Sequence, residues 1–436
     1  MPTAMTEAPG RKPVRDRGWP VVRGLRWWIV GLVCLGTIAN YLARNSLAVL
    51  GPQLQGTLHF TTRQYSYVVA AFQIAYTVMQ PVCGWVVDRL GLRLSFMLFA
   101  IVWSVTAALH STAGGWRSLA AFRGLLGVTQ ACAIPAGVKA VAEWFPGKER
   151  SVAIGYFNAG TSLGAMLAPP MVVWLALHYD WRVAFLVSGL VGIPWAAAWW
   201  VFYRAPADHP ALGSVERVLI LGDRPPQPAS QRAPARELVK TRRFWAIAIA
   251  RFLAEPAWQT FSFWLPLYLA TERHMDLKGI AVFAWLPFLA ADLGGILGGY
   301  LSPFLMGRFG MSLVGSRVAG VSLGAALMIG PGCAGLVGTP AAAIALFCCG
   351  GFAHQMISGL LNTLTADVFA ESEVATANGL TGMASWTGGL LFSLVVGAFA
   401  ERVGFAPLFG CLSVFDLLGA TILIALLRPR WRQTAI

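Results

Sequence analysis

Charge is what this sequence has least of. Only 12% of its 436 residues are Asp, Glu, Lys or Arg, about half the roughly 25% of an ordinary soluble domain. Long polar stretches are scarce as well: 57% of residues are hydrophobic, and the mean hydropathy is +0.63. A soluble globular domain and a disordered chain are both excluded, and an all-α polytopic membrane protein is expected. Paired or metal-ligating cysteines are missing too. The seven cysteines lie in or beside apolar runs without metal-ligand or paired-loop spacing, and read as small core hydrophobes. The chain carries no His/Glu metal spacing, no Gly-x-Ser-x-Gly and no phosphate loop, so no metal, cofactor or enzymatic activity is expected. His354 stands alone and reads as a packing or site-lining residue.

Acidic residues are the scarcer sign, 19 against 33 basic, a net charge of +14. The distribution of that excess argues against nucleic acid as a partner. Arg11, Lys12, Arg15, Arg17, Arg23 and Arg26 precede the first apolar run. Arg217, Arg224, Arg232, Arg236, Lys240, Arg242 and Arg243 share one mid-chain stretch, and Arg428, Arg430 and Arg432 close the chain. Under the positive-inside rule all three segments are cytoplasmic, in a cell whose inner membrane the chain crosses.

Apolar segments recur at about 28–51, 64–87, 94–112, 116–139, 152–177 and 183–203, and again at about 244–270, 279–305, 315–335, 340–366, 378–400 and 406–427. That is roughly twelve membrane-crossing helices. The first is too long for a signal-peptide core. The expected plan is a basic tail over 1–25, a six-helix bundle over 26–203, a Pro/Arg-rich linker over 204–241, a second bundle over 242–428 and a short tail over 429–436. The halves echo each other: Gly84 to Arg93 ends the second segment, and Gly299 to Gly310 ends the eighth, with an insertion and no acid. Internal repeats with a site at their interface are a recurring transporter plan. Small-xxx-small pairs, Gly160/Gly164 and Gly295/Gly299, suit close helix packing.

Arg44 lies near the middle of the first segment with no acid close in sequence. A guanidinium at membrane depth costs roughly 2.5 kcal/mol or more, so it is expected to line a pathway. Asn40, Tyr41 and Asn45 share its helical face. The planar fork of Arg matches a carboxylate. Arg44 is therefore the candidate to hold the carboxylate of a small anionic substrate, against the plainer reading of an ion pair with another helix.

Gly84-x-x-x-Asp88-Arg89-x-Gly91-x-Arg93 resembles the signature loop of the major facilitator superfamily. Asn40-Tyr41-x-x-Arg44, Ala71-Phe72-x-x-Ala75-Tyr76, Glu143-Trp-Phe-Pro-x-Lys-Glu-Arg150 and the run from Gly155 are similar to the anion:cation symporter group. Arg251-Phe-Leu-Ala-Glu-Pro-Ala-Trp258, Gly351-Phe-Ala-His-Gln355 and Glu373 to Met383 resemble its hexuronate transporters. The resemblance runs from about residue 24 to 428. It implies the major facilitator fold, two pseudo-symmetric six-helix halves, and proton-coupled uptake of glucuronate and galacturonate by a monomer. It also implies that Asp88, Arg89 and Arg93 latch the halves on the cytoplasmic side.

Two positions depart from the group, the first being Ala43, where related sugar-acid symporters often carry Asp just before the first-span arginine. Where related symporters carry a glutamate seven residues after an arginine, this chain has Arg123 and Gln130. An amide cannot titrate. Either coupling has moved, or the chain is not proton-driven and accumulates poorly, or a Glu→Gln substitution was engineered to trap one state. The remaining intramembrane acids are Asp292 and Glu255. Asp292 is a candidate for proton exchange, whereas Arg251, one turn before Glu255, suggests an ion pair. Arg123 would have paired with the missing carboxylate.

A uronate needs a cation, amides or hydroxyls, and aromatic surface for the sugar face. Candidates at helical spacing are Gln73, Tyr76 and Gln80; Asn158, Thr161 and Ser162; Gln355, Ser358, Asn362 and Thr365; Ser385 and Trp386; and Trp258 for stacking. For single Ser and Thr residues, helix-to-helix bonding is the competing reading. Transport of another acid such as galactonate is the nearest alternative. A drug:proton antiporter, a membrane sensor and a membrane enzyme fit the residues less well.

Overall fold

The computed structural model describes residues 19–222, 235–275 and 285–428, together with 283 and 431. Most of the expected basic tail, the middle of the linker, the opening of the eighth segment and nearly all of the closing tail lie outside the described residues. In lipid the backbone must satisfy its own hydrogen bonds, which leaves helices as the spanning element for a chain of this pattern. Eleven helices among the described residues are long and apolar enough to cross a membrane. In chain order the first six are Leu25–Gly51, Arg63–Leu90, Leu92–Thr112, Trp116–Trp144, Gly147–His178 and Trp181–Phe202. The last five are Leu286–Phe309, Leu313–Leu336, Pro340–Val368, Val374–Ala400 and Ala406–Leu427. Numbered by their place in the chain, these are spans one to six and eight to twelve.

The seventh span runs as helix Arg242–Gln259, a π-helical turn Thr260–Trp264 and helix Leu265–Thr271. Arg242, Arg243, Arg251 and Glu255 hold its hydropathy down. Pro256 inside it cannot donate to the carbonyl of Phe252, and the ladder loosens into the π-turn just beyond, a feature that recurs at functional sites. Pro135 acts likewise in the fourth span: the helix breaks at Ala131–Cys132, four residues before it. Local signals fix the ends. Thr61 and Gln64 form a capping box, and Ser312 and Thr339 cap spans nine and ten.

Each half packs its own core. Trp103, Trp144 and Trp199 are fully buried in the first, and Phe261, Tyr268 and Phe347 in the second. Part of the linker is folded. Residues 203–212 bury Tyr203, Ala211 and Leu212, and helix Ser214–Gly222 lays Ile220 on the first half. Glu216 and Glu149 both pair with Arg26, at 2.7 and 2.8 Å. The linker is thus tied to the first span before it crosses to the second half.

Hydrogen bonds between the halves gather at the linker end of the molecule. Arg150 reaches Ala366 O and Asp367, Ser151 reaches Gly299 O, and Thr376 reaches Asp88. Small residues allow the approach. A Cβ on Gly155 would come within 2.5 Å of Gly295 O, and one on Gly84 would meet the carbonyl of Ala375. Gly84→Val is therefore expected to part the halves here. In a cysteine-free background, a reporter cysteine at Ser151 should react with maleimide several-fold faster when Gly84→Val is present; equal rates would mean that this contact does not close the seam.

Candidate functional site

A cavity lies between the halves. From the first half Tyr41, Tyr76, Gln80, Ile134, Asn158 and Thr161 line it, and from the second Arg251, Glu255, Trp258, His354, Gln355, Ser358, Asn362, Ser385 and Trp386. The helical stripes legible in the sequence therefore converge. Tyr41, Tyr76, Asn158, Thr161, Gln355, Ser358, Asn362, Trp258 and Trp386, expected as substrate-binding residues, all meet on one space. Two aromatic surfaces bound it. Tyr76 packs on Trp386 across the halves at 4.8 Å, and Trp258 stacks on His354 at 5.5 Å with 19° between the planes. Asn362 Oδ1 accepts from Asn378, which fixes the orientation of that amide at 2.8 Å.

Arg44, Asn40 and Gln73 are not wall residues. Arg44 stands one layer behind Tyr41 and Tyr76. Its guanidinium carbon lies 4.3 Å from the Tyr41 ring, 4.7 Å from Tyr76 and 5.0 Å from Phe72. Its Nε donates to Gln130 Oε1 at 3.1 Å and its Nη2 to Asn40 Oδ1 at 3.3 Å. Each of these partners is neutral. The plainer alternative, an ion pair with another helix, is not what holds this charge. Gln73, partly exposed, contributes its backbone carbonyl to Thr77.

Gln130 is used at both ends. While Oε1 takes the Arg44 proton, Nε2 donates to the Asn40 carbonyl at 3.0 Å. An ionised carboxylate would set two acceptors face to face there, whereas an amide, like a protonated acid, makes both bonds. Arg123 does not pair with Gln130. Its Nη2 donates to the Arg44 carbonyl at 2.8 Å and it lies over Phe72. Two turns of separation set both side chains on one face, but the nearer guanidinium of the first span takes the amide.

The expected Arg251–Glu255 ion pair is not made. Arg251 Nη1 donates to Thr381 Oγ1 at 3.0 Å, and Ser385 Oγ donates to Glu255 Oε2 at 2.7 Å. Span eleven offers each a hydroxyl, so the neighbours on one helix separate. Sequence spacing hid Arg251 as a wall residue because an acid one turn on looked like its partner. Asp292 lies away from the cavity wall. It is buried beside Ser162 of span five, with no hydrogen-bond partner for Oδ1 among the described residues.

Of the three residues expected as a latch, Asp88 alone makes a bond between the halves among the described residues. Asp88 joins the halves: Oδ2 accepts from the backbone N and Oγ1 of Thr376, both at 2.6 Å, and Oδ1 from Lys139 Nζ at 2.6 Å. Arg89 and Arg93 stay within their own half and do not latch it to the other. Arg89 lies over Trp85, and Arg93 donates to the Trp200 carbonyl, because both point outward from the loop. A second cluster was not legible. Arg317 and Asp367, both fully buried, pair at 3.2 Å, Arg150 adds a contact to Asp367 at 3.0 Å, and Arg317 reaches Ser151 and Gly147 across the seam. Among the described residues no group of His, Cys, Asp and Glu is arranged to hold a metal ion.

The pattern of the Major Facilitator Superfamily matches residues 33–393. The chain belongs to that superfamily. It is a multi-pass membrane protein with the superfamily's fold. The hexuronate transporter of Escherichia coli strain K12 is 50% identical over 412 residues, covering 94% of this chain and 95% of that one. The galacturonate transporter of Dickeya chrysanthemi is 48% identical over 331 residues, 75% of this chain and 95% of the relative. In three dimensions the chain is similar to the proton:xylose symporter XylE bound to 6-bromo-6-deoxy-D-glucose. The TM-score is 0.72 at 12% identity, covering 91% of this chain and 94% of that one.

Removing one partner of a buried ion pair leaves the other charge uncompensated, at about 3–5 kcal/mol. Asp367→Asn should therefore lower the melting temperature of the detergent-solubilised protein, and Asp367→Asn with Arg317→Met should recover part of it. An unchanged melting temperature for the single variant would show that the cluster holds nothing together.

Proposed function

We propose that this chain takes up hexuronates, glucuronate and galacturonate, by proton-coupled secondary active transport across the bacterial inner membrane. The observation that carries the reading is Arg44: a fixed positive charge beside the cavity, with neutral partners only. A uronate carboxylate entering between Tyr41 and Tyr76 supplies the missing charge. Amides and hydroxyls of Asn158, Thr161, Gln355, Ser358 and Asn362 meet the ring hydroxyls, and Trp258 and Trp386 face the apolar side of the sugar. The relatives named as hexuronate and galacturonate transporters support this choice over other acids. A D-galactonate transporter is 28% identical over 411 residues, which makes that acid the second substrate to test.

The access cycle follows from where the halves are fastened. With the bonds at Asp88, Ser151 and Asp367 made, the linker end is shut, and we read the structure as open toward the opposite side. Substrate binding draws the cavity walls together, and the linker-end bonds then break to release it inward. Both termini and the linker lie in the cytoplasm, where the basic segments favour them. The cavity is complete in one chain, so a monomer suffices. An inside-negative potential opposes an incoming anion by about 2.3 kcal/mol per charge per 100 mV, and one proton per substrate removes that penalty.

Proteoliposomes preloaded with glucuronate should show counterflow of labelled glucuronate, and Arg44→Ala should abolish both counterflow and the thermal stabilisation given by glucuronate. Wild-type-like affinity in Arg44→Ala would remove Arg44 from the site. Absence of counterflow in the wild-type chain, with galactonate active instead, would reassign the substrate.

A further inference from the structure

The proton reading just given leaves a gap, because Gln130 cannot carry a proton. We propose that Glu255 carries it, with Arg251 as the cation that balances its ionised form. Glu255 is the one carboxyl on the cavity wall among the described residues. It sits in span seven immediately before Pro256 and one turn ahead of the π-helical stretch, where the backbone is already loosened. Among the described residues its only hydrogen bond is from a hydroxyl, that of Ser385. Ser385 serves both forms of the acid, since a hydroxyl donates to a carboxylate and accepts from a carboxyl proton. Room for a side-chain shift is bounded by Gly389, where a Cβ would come within 2.9 Å of Glu255 Cγ.

The charged and titratable groups around it come from several elements. Arg251 lies one turn back on the same helix, and Tyr76 of span two is within electrostatic reach. His354 of span ten shares the wall, and Asp416 is buried in span twelve, which packs on span seven. Among the described residues Arg251 has one hydrogen bond, to Thr381. In the empty carrier an ionised Glu255 balances Arg251. When a uronate carboxylate enters beside Arg44, a second negative charge joins Glu255 in the one cavity, and one proton from the outside converts the Glu255 carboxylate to a carboxyl. On the inside the proton leaves Glu255 as the anion leaves the cavity, so each cycle moves one anion and one proton with no net charge. Asp292 belongs to the seam between spans five and eight and takes no part.

This assignment rests on the transport reading above, and the test separates the two. Wild-type and variant proteoliposomes are compared for labelled glucuronate accumulation under an imposed pH gradient, for glucuronate-induced alkalinisation of the medium, and for exchange at equal pH. One-proton coupling across about one pH unit supports about tenfold accumulation. Glu255→Gln should abolish accumulation and alkalinisation while exchange persists, Glu255→Asp should retain coupling, and Asp292→Asn should accumulate as the wild type does. Accumulation by Glu255→Gln overturns the proposal. So does loss of glucuronate stabilisation in a folded Glu255→Gln, which would make Glu255 a substrate ligand, and so does loss of coupling in Asp292→Asn. A wild-type chain that exchanges glucuronate without alkalinisation overturns it too, whereas one without exchange strikes the transport reading itself.

Discussion

A positive charge held at membrane depth, with no carboxylate bonded to it among the described residues, is the constraint on which the rest of this structure depends. Arg44 costs roughly 2.5 kcal/mol or more to place there. Three aromatic rings and two amide oxygens offset part of that cost, at about 0.5–2 kcal/mol for a desolvated cation–π contact. None of them cancels the charge. The helix therefore presents a standing positive potential to the cavity, and an anion is the species that relieves it. Gln130 belongs to the same arrangement: its amide orients the guanidinium and bonds back to Asn40, a task that a carboxylate performs only when protonated.

The same economy of charge governs the seam. Scarce acids are spent where two halves must meet and part. Asp88 takes a lysine from its own half and the amide end of span eleven from the other. Asp367 gathers Arg150 and Arg317, one from each half. Ion pairs that are costly to desolvate gain little in stability over apolar packing, but they can be exchanged for water when the halves separate. Glycines at 84 and 155 bring the backbones close enough for these bonds to form. Closure at one end and a polar hollow beyond it are thus products of one interface.

Much of this was legible in the sequence because membrane helices carry their signals locally. Apolar runs, basic flanks and the Asp88 loop mark the spans and the halves. Polar residues three and four apart, such as Gln355, Ser358 and Asn362, predicted the face that now lines the cavity. What was hidden involves partners far apart in the chain. Arg317 and Asp367 are 50 positions apart, Lys139 sits in an apolar run, and neither signals its mate. Arg251 and Glu255 misled in the opposite way. Helical spacing suggested a pair, but a third helix supplied each with a hydroxyl. The depth of Arg44 behind two tyrosines was also not readable, since periodicity gives a face and not a distance from its surface.

In the proposed reading, recognition follows from charge first and hydroxyls second. On that reading a sugar lacking the carboxylate would keep its hydroxyls for the amides and lose the one feature that Arg44 calls for. The most direct measurement is therefore competition between labelled glucuronate and glucuronamide, its neutral isostere, on the purified protein. The account predicts that glucuronamide fails to displace glucuronate even at about a hundredfold excess, a discrimination of about 2.7 kcal/mol or more. Displacement by glucuronamide at concentrations close to those of unlabelled glucuronate would contradict it.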